Sequence, residues 1–321
     1  MSKLGVAVIG VGFWGKNHVR VFSELPETEL LAVCDVNMER AKTIAEQYGI
    51  KPYSDSQKLL KRKDIEAVSI CTWTTTHAPE AMRAIKAKKH ALVEKPLANT
   101  VKEARKIVNF AKQRDRHLMV GFIERFNPSI QQAKNMLKQG EIGVLVSATA
   151  KRVSQWPERI GDVGVVKDYA IHEIDIMRKI FEEDPTTVYA RVGNLKHTKF
   201  EDYAQIMLTF KHGKTAFIEA NWLTPDRIRN LTLTGSDAIL SLDYLTQGIT
   251  VETLEKTLKP RCEWKEPLKL ELQNFAESIL RDEEPEATGV DGLKALVIAE
   301  AAIQSSKRDS AIKLKFDKEV A

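Results

Sequence analysis

One stretch near the middle of the 321-residue sequence combines acidic side chains with a histidine at helical spacing. Asp168, His172 and Asp175 are four and then three residues apart, so a helix would place all three on one face. An imidazole ordinarily titrates near pH ~6.5 and is suited to accept a proton near neutral pH. The pattern predicts an acid–base role for His172 with Asp168 orienting it, while a surface pair of aspartate and histidine is the alternative.

A lysine between a glutamate and a proline, in the segment Glu94-Lys95-Pro96, is the second chemical candidate. The segment follows an apolar run of strand length, and open α/β sheets bind ligands at the carboxyl ends of their strands. An ammonium group there can stabilise alkoxide charge that develops on a substrate. Lys95 is therefore predicted to be catalytic, with an ordinary exposed lysine before a turn as the alternative.

A glycine motif, Gly10-Val-Gly12-Phe-Trp-Gly15, directly follows the apolar run from residue 4 to residue 9 and opens a helical segment. Gly10 permits a tight turn, Gly12 lets the backbone approach a pyrophosphate, and Gly15 allows the helix to pack closely on the strand. Free N–H groups at the helix start would face the phosphates. The motif predicts a dinucleotide site, because strand, glycines and helix occur together.

An acidic residue, Asp35, stands twenty residues beyond Gly15, at the end of the second predicted strand. A carboxylate there can accept hydrogen bonds from both ribose hydroxyls of NAD and would repel the 2′-phosphate of NADP. Arg40 follows five residues later, and its guanidinium could bind that phosphate if the side chain rotated. We therefore expect NAD as the cofactor, with NADP as the alternative.

The elements that position these residues alternate between short apolar runs and helix-length segments over the first 122 residues. This alternation is typical of βαβ units around a parallel sheet, and it predicts a Rossmann domain over residues 1–122. A helix is predicted for residues 100–114, with Asn99 or Thr100 as N-cap and Glu103 in the first turn. The predicted strands have the sequences LGVAVIG, ELLAVCD, AVSICT, HALVEK and HLMVGF.

Beyond residue 122 the pattern changes to runs rich in β-branched residues separated by hairpin-type turns. This predicts a second, α+β domain over residues 123–321 with a largely antiparallel open sheet. A helix over residues 165–181 interrupts it, and two more helices are expected over 269–280 and 292–306. The strands are expected at 144–152, 186–192, 204–210, 215–221, 229–234 and 239–244.

Composition and charge exclude several classes of protein. The formal charge of +5 is spread along the chain, which argues against nucleic acid as a partner. No apolar run is long enough for a membrane span, the three cysteines lack metal-like spacing, and no leader pattern precedes the first strand. We expect a cytoplasmic protein without a metal site, whose open sheet is covered in a homo-dimer or homo-tetramer.

Taken together, these motifs resemble the Gfo/Idh/MocA oxidoreductases. That family is similar in its N-terminal Rossmann glycines, its E-K-P motif and an Asp-x-x-x-His motif on a helix facing the nicotinamide. The resemblance covers essentially the whole chain, but Trp73 and Thr74 stand where the family usually has proline and asparagine. Contacts around the cofactor at that point are therefore expected to differ.

The resemblance also implies roles for individual residues. The expected catalytic residues are Lys95, His172 and Asp168, and these three are expected to bind substrate together with Arg125. The cofactor is expected to be bound by Gly10, Gly12, Phe13, Trp14, Gly15, Asp35, Thr72, His77, Glu94 and Lys95. The stretches 121–128, 156–165 and 219–225 look most like the branch that oxidises the 3-hydroxyl of UDP-N-acetylglucosamine or its uronic acid. Arginines that could pair with a diphosphate are Arg152, Arg159, Arg227 and Arg229.

Three alternatives stay open at this point. Inositol or a free monosaccharide could be the substrate, since Lys95, Asp168 and His172 would serve it equally well. A glycosidase could use tightly held NAD for transient oxidation and elimination. A regulatory NAD-binding protein without turnover is the alternative from another class, although it would not need the lysine and the histidine.

Overall fold

The computed structural model describes residues 3–158 and 161–316, which form two compact units. The first unit contains the chain up to Phe122 together with Leu268–Leu293. The second contains Ile123–Pro267 and the chain from Lys294 onward. The predicted change of domain at residue 122 coincides with the first division. Within the predicted second domain of residues 123–321, the segment Leu268–Leu293 groups with the first unit.

The first unit contains a six-stranded parallel sheet, in which the strand before the glycine motif is central and the strand before Lys95 lies next to an edge strand. The strand order is 3-2-1-4-5-6, the doubly wound order of a Rossmann fold, which confirms the predicted fold class. The strands are β1 (Leu4–Ile9), β2 (Thr28–Cys34), β3 (Lys51–Tyr53), β4 (Ala67–Ile70), β5 (His90–Glu94) and β6 (Leu118–Gly121). The helices between them are α1 (Gly15–Glu24), α2 (Met38–Tyr48), α3 (Ser56–Leu60), α4 (Thr74–Lys86) and α5 (Val101–Gln113).

Helix α5 begins as its sequence predicts. The Thr100 side chain accepts a hydrogen bond from the backbone N–H of Glu103 at 3.2 Å, and the Glu103 carboxylate accepts one from the Thr100 N–H at 3.0 Å. This capping box satisfies two backbone donors that a helix start leaves without partners. It fixes the point at which the chain enters the helix after the Glu94-Lys95-Pro96 segment.

The segment Leu268–Leu293 covers the β6 edge of the first sheet. The backbone N–H of Val120 donates to the carbonyl of Ala287 at 2.9 Å, beside a bridge between Met119 and Thr288. A Cβ on Gly292 would stand 2.5 Å from the side chain of Val120, so the helix approaches this strand very closely. The segment holds most of α8 (Pro267–Arg281) and the start of α9 (Gly289–Arg308).

The second unit contains a nine-stranded sheet that is antiparallel except where β7 and β10 pair in parallel. The strand order is 14-13-12-11-7-10-9-8-15. The strands are β7 (Leu145–Val153), β8 (Thr187–Gly193), β9 (Tyr203–Thr209), β10 (Thr215–Asn221), β11 (Ile228–Gly235), β12 (Ile239–Asp243), β13 (Ile249–Glu252), β14 (Thr257–Leu258) and β15 (Ile312–Lys313). The largely antiparallel sheet that the sequence predicts is thereby confirmed, and β13, β14 and β15 are additions to it.

One face of this sheet is buried and the other is open within the chain. Alternate residues of β10 and β12 are buried, whereas Phe217 and Ile239 on the opposite face are 45% and 40% exposed. The helices of the unit are α6 (Pro128–Lys138), α7 (Ile171–Phe181) and most of α9. No helix in the described part of the chain is long and apolar enough to cross a membrane.

Candidate active site

The turn after β1 has the geometry that its three glycines predict. Gly10 adopts a φ of +89°, which side-chain-bearing residues rarely take. A Cβ on Gly15 would lie 1.8 Å from the carbonyl oxygen of Gly10, so only glycine lets α1 start this close to the strand. A Cβ on Gly12, in contrast, would meet nothing within 4 Å. The space beside Gly12 is thus open, as an approaching pyrophosphate requires.

Asp35 lies directly after β2 and beneath the same turn. Its Oδ2 accepts a hydrogen bond from the Val11 N–H at 3.1 Å, and its Oδ1 accepts one from the Asn37 N–H at 2.9 Å. The Arg40 guanidinium lies 3.2 Å from Oδ2 and 3.3 Å from Oδ1. The Arg40 side chain is 45% exposed and can swing away at little cost, which would give a ribose access to the carboxylate.

The two aromatic residues of the glycine turn differ in their environment. Phe13 is 75% exposed, with the Lys16 ammonium 5.7 Å from its ring centroid. Trp14 is 36% exposed, and its indole N–H donates to Oε1 of Glu94 at 2.8 Å. The glycine turn is therefore tied by a side-chain hydrogen bond to the end of β5.

Glu94 closes β5, and Lys95 follows it at the carboxyl edge of the sheet, as the sequence predicts. Glu94 is 8% exposed, and Oε1 lies 3.1 Å from Nε2 of the buried His18. Its Oε2 accepts a hydrogen bond from the Lys95 backbone N–H at 3.2 Å. Lys95 is half-buried, and the peptide bond to Pro96 is cis. This places Glu94 under the turn and Lys95 on the ligand-binding edge of the sheet.

Thr72 and His77 occupy the loop and first helical turn after β4. His77 is buried, with Nδ1 lying 2.8 Å from the Pro96 carbonyl oxygen and Nε2 lying 3.2 Å from the Thr72 carbonyl oxygen. The imidazole thus joins the loops after β4 and β5. Thr72 is half-buried, and its hydroxyl accepts a hydrogen bond from Thr76 at 2.8 Å. Direct contact of either side chain with the cofactor stays a prediction.

The helix with Asp168 and His172 begins as a wide turn. Residues Val166–Ala170 form a π-helical turn that continues without a break into α7, so the predicted helix is confirmed in extent but its first turn is different. π-Helical turns are rare and frequently occur at functional sites. Asp168 lies in this turn and is half-buried, while His172 lies in the first α-helical turn and is 7% exposed.

Asp175 and Arg125 form a buried ion pair. Arg125 Nε donates to Asp175 Oδ2 at 2.6 Å and Nη2 donates to Oδ1 at 2.5 Å, with both side chains 1% exposed. A bidentate pair of this kind orients the helix and offers almost no surface to a ligand. The geometry therefore favours a structural role for Arg125 over the predicted contact with substrate.

A second buried network holds α7 on the sheet beside His172. Arg152 Nε donates to Glu173 Oε1 at 2.6 Å and Nη2 donates to Glu124 Oε1 at 2.7 Å. The Tyr244 hydroxyl donates to Glu173 Oε2 at 2.7 Å. Burial lowers the pKa of Arg152, but the two carboxylates outweigh it and raise that pKa above its usual value. Arg152 is thus committed to this network and is not available to a diphosphate.

The remaining arginine candidates divide by exposure. Arg227 is exposed, and Arg159 lies outside the described residues. Arg229 is 23% exposed at its side chain and lies opposite Arg152 in the β7–β11 ladder. Its Nη1 stands 3.5 Å from the same Glu124 oxygen that Arg152 uses.

Three functional neighbours were missed from the sequence. His18 and Ser69 lie under the glycine turn, with the Ser69 hydroxyl 2.8 Å from His18 Nδ1, and Glu173 anchors α7 next to His172. His18 stands three residues after Gly15, in the first turn of α1, which was the available signal. Ser69 gave none, because a serine inside an apolar strand has many possible partners.

The two units carry different chemistry. Open space at Gly12, the start of α1 without a side-chain cap and the carboxylate of Asp35 fit a dinucleotide on the first unit. The second unit presents an imidazole and a carboxylate at a π-helical turn. No group of three or more histidine, cysteine or acidic side chains that could hold a metal ion occurs within residues 3–158 and 161–316.

Comparison with protein families agrees with this division. The model of an oxidoreductase family with an NAD-binding Rossmann fold, GFO_IDH_MocA, matches residues 4–122. The model of the GFO/IDH/MocA C-terminal domain matches residues 130–241. The two matches lie in the two halves of the chain where the sequence predicts its two domains.

Individual relatives include dehydrogenases with different substrates. The uncharacterized oxidoreductase YrbE of Bacillus subtilis is 31% identical over 100% of this chain and 99% of its own length. UDP-N-acetylglucosamine 3-dehydrogenase of Acidithiobacillus ferrooxidans is 30% identical over 78% of this chain and 77% of its length, and its solved structure superposes with a TM-score of 0.88 over 96% and 99% of the two chains. Myo-inositol 2-dehydrogenase of Thermotoga maritima is 26% identical over 97% and 98%.

Proposed function

Because the chain belongs to the Gfo/Idh/MocA oxidoreductase family, we propose that it oxidises a sugar ring hydroxyl to a ketone with NAD as hydride acceptor. NAD dependence and action on a CH–OH donor follow from the family and from its NAD-binding Rossmann domain. The finer proposal is that the substrate is a UDP-N-acetylglucosamine-type nucleotide sugar oxidised at its 3-hydroxyl.

We propose that the cofactor is held by the glycine turn and Asp35. The open space at Gly12 would take the pyrophosphate, and Asp35 would accept the ribose hydroxyls once Arg40 moves aside. Bound there, NAD supplies the acceptor for the hydride that leaves the carbinol carbon. Lys95 would be a cation at the nicotinamide end, since it follows β5 at the carboxyl edge of the sheet.

The proposed proton transfer uses His172 and Lys95 on one substrate oxygen. As the hydride leaves, the hydroxyl proton must also leave, and His172 is the proposed acceptor. Lys95, as an ammonium, would donate a hydrogen bond to the same oxygen and stabilise its developing negative charge. Asp168 would orient the imidazole or hold a neighbouring hydroxyl, and the lysine and the histidine could share the proton as a coupled pair.

The test of this mechanism is a pair of substitutions. Lys95→Ala and His172→Ala are each expected to keep NAD binding and to lose turnover at least about 100-fold, the loss typical of an acid–base group. Lys167→Ala is the matched control, because this neighbour of Asp168 pairs with Glu300 at 3.1 Å. Unchanged turnover in either test variant would remove that residue from the mechanism.

The observation that carries the nucleotide-sugar proposal is the state of Arg229. Burial lowers the pKa of Arg229 to about 10, and repulsion from Arg152 adds to the effect. The nearest carboxylate oxygen, on Glu124, is already bonded to Arg152 at 2.7 Å. The positive charge of this guanidinium is only partly balanced by nearby carboxylates, and a phosphate or a carboxylate of the substrate would complete the balance.

Kinetics with charged and neutral sugars test that proposal. Arg229→Gln is expected to raise KM for UDP-N-acetylglucosamine about 10- to 100-fold, as expected for a lost charged hydrogen bond, without affecting a neutral sugar. Arg227→Gln, at the exposed neighbour, is the matched control and should change KM little. Equal effects of Arg229→Gln on charged and neutral substrates would contradict an anion-binding role.

A second candidate substrate is inositol. The myo-inositol 2-dehydrogenase of Thermotoga maritima matches almost the whole chain, and the proposed roles of Lys95, Asp168 and His172 suit any ring carbinol. A substrate panel of UDP-N-acetylglucosamine, its uronic acid, myo-inositol and free hexoses, with NADH formation as readout, separates the two. Fast turnover of myo-inositol with none of the nucleotide sugars would replace the finer proposal.

We also propose that the open sheet face is covered by a second copy of the chain. Phe217 and Ile239 expose apolar surface there, which a homo-dimer or homo-tetramer would bury. Light scattering of the purified protein tests the assembly, and Phe217→Glu should dissociate it. A monomer at micromolar concentration would refute this proposal.

A further inference from the structure

A buried hydrogen-bond chain runs under the glycine turn and ends at the backbone of the proposed catalytic lysine. It passes from Ser69 on β4 to His18 on α1, and from His18 to Glu94 at the end of β5. The Ser69 hydroxyl lies 2.8 Å from His18 Nδ1, and His18 Nε2 lies 3.1 Å from Glu94 Oε1. Ser69 and His18 are completely buried. Water therefore cannot take over the hydrogen bonds of this chain unless the surrounding side chains rearrange.

The two carboxylate oxygens of Glu94 serve two different parts of the first unit. Oε1 accepts from the Trp14 indole at 2.8 Å, so it holds the glycine turn from which the cofactor phosphates would be bound. Oε2 accepts from the Lys95 backbone N–H at 3.2 Å, so it holds the residue that would meet the substrate. One side chain thus links the cofactor turn to the catalytic position.

The glycine on the neighbouring strand leaves the space that this carboxylate occupies. Gly121 pairs with Glu94 in the β5–β6 ladder, and a Cβ on Gly121 would lie 2.7 Å from Glu94 Oε1. The glutamate side chain is therefore seated over a glycine, in a space that a methyl group would fill.

The charge state of the pair agrees with a preorganised site. Burial by itself favours the neutral forms, yet the pKa of His18 is raised well above its usual value by Cys71 and Glu94. The pKa of Glu94 is lowered in spite of burial, because His18, Lys95 and Trp14 stabilise the carboxylate. A buried ion pair is costly compared with apolar packing of the same volume, so its presence under a binding turn calls for a function other than stability.

We propose that Glu94 and His18 are positioning residues. Glu94 holds the glycine turn and the Lys95 backbone at a fixed distance from each other, and His18 fixes the orientation of the Glu94 carboxylate. This inference rests on the proposed function only for the role of Lys95. The link to the cofactor turn stands on the Trp14 contact and can be tested by NAD binding alone.

The first experiment measures NAD affinity and turnover in parallel. Glu94→Gln replaces one acceptor oxygen by an amide and is expected to weaken NAD binding about tenfold and to lower kcat about 10- to 100-fold. Trp14→Phe removes only the indole donor, so it should weaken NAD binding by several-fold and lower kcat at saturating NAD by a smaller factor than Glu94→Gln does. Glu66→Gln is the control, because this carboxylate binds the Gly5 N–H at the opposite edge of the same sheet.

The second experiment is a double-mutant cycle with Lys95→Ala. If Glu94 acts on turnover through Lys95, adding Glu94→Gln to Lys95→Ala should cost no further kcat, while the loss of NAD affinity should persist. A merely structural defect would lower kcat by the same factor in both backgrounds. Thermal unfolding of every variant shows whether the first unit has remained folded.

The outcomes separate the two proposals. Unchanged turnover in Lys95→Ala would refute the proposed mechanism. The NAD-binding part of this inference would then be tested by the NAD affinity of Glu94→Gln and Trp14→Phe. Unchanged NAD affinity in both of these variants, or additive losses of kcat in the cycle, would overturn the positioning role. If Glu94→Gln does not fold, Trp14→Phe decides, since its partly exposed ring is replaced by a similar one.

Discussion

The glycine turn allows a prediction that separates ligand binding from folding with two substitutions of the same size. In Gly12→Ala the new methyl group meets no atom of the protein within 4 Å, whereas in Gly15→Ala it would stand 1.8 Å from the Gly10 carbonyl oxygen. Gly12 also lacks a positive φ, so alanine can adopt its backbone conformation. The first substitution should therefore affect only what binds at the turn, and the second should affect the fold.

The magnitudes follow from these contacts. Gly12→Ala should leave the free energy of unfolding unchanged or raise it by about 0.4–1 kcal/mol, because alanine restricts the unfolded chain. It should weaken NAD binding about 10- to 100-fold, because the methyl group displaces a phosphate from one or more charged hydrogen bonds. Gly15→Ala forces α1 away from the strand and should cost about 1–3 kcal/mol, the usual range for overpacking.

The assay combines thermal unfolding without cofactor and NAD titration by calorimetry. For domains of this size each kcal/mol shifts Tm by about 2–4 °C, so Gly15→Ala should lower Tm by several degrees and Gly12→Ala should not. Gly49→Ala is no suitable control, because Gly49 has a φ of +66°. Gly248→Ala in the second unit, whose nearest contact would be 3.3 Å, serves instead. Undiminished NAD affinity in Gly12→Ala would refute the assignment of this turn as the pyrophosphate site.

Three further predictions concern charge. Asp35→Ala should weaken NAD more than NADP, because it removes the ribose acceptor and frees Arg40 for a 2′-phosphate; equal losses would refute the cofactor preference. Arg125→Met should destabilise the second unit by about 3–5 kcal/mol, measured by urea unfolding, because it leaves Asp175 buried without its bidentate partner; a loss below ~1 kcal/mol would contradict this. Burial, assisted by Arg116 and His117, lowers the pKa of His90 to about 4. His90 is therefore neutral in the folded protein above pH ~4, whereas in the unfolded chain it takes up a proton below pH ~6.5. The folded state consequently loses about 1–2 kcal/mol of stability, after allowance for solvent screening, as the pH falls from ~6.5 toward 4. His90→Asn should flatten the fall of Tm between pH 7 and 4.5, and an unchanged slope would refute the assignment.

Much of the fold could be predicted because local signals and the global arrangement agree. Thr100 was predicted as a helix start from its side chain and from Glu103 three residues later, and it caps α5 in the structure. The central strands of the first unit are continuous apolar runs. This pattern is typical of a parallel sheet that is covered by helices on both faces. Strand β3 was missed because its three residues, Lys51–Tyr53, include a proline and have no hydrophobic pattern.

The site was less readable wherever a residue depends on partners distant in sequence. His18 and Glu94 are 76 residues apart, and Arg125 and Asp175 are 50 apart, so neither pair has a local signature. The resemblance to a family suggested Arg125 as a substrate ligand, but the partner that buries it could not be inferred from spacing. The π-helical turn at Val166–Ala170 was likewise hidden, since its residues fit an α-helix equally well.

The return of Leu268–Leu293 to the first sheet has a consequence for how the chain matures during its synthesis. Translation delivers all six strands of the first unit by residue 121, yet the segment that covers β6 begins only at residue 268. A nascent chain must therefore keep an unfinished Rossmann sheet beside the ribosome while all strands of the second sheet except β15 are produced. Such an uncovered edge is a place where chains aggregate, which makes the interval a natural point for chaperone binding. A fragment ending at residue 122 should consequently aggregate, whereas one that joins residues 1–122 to 268–293 through a short linker should fold and bind NAD.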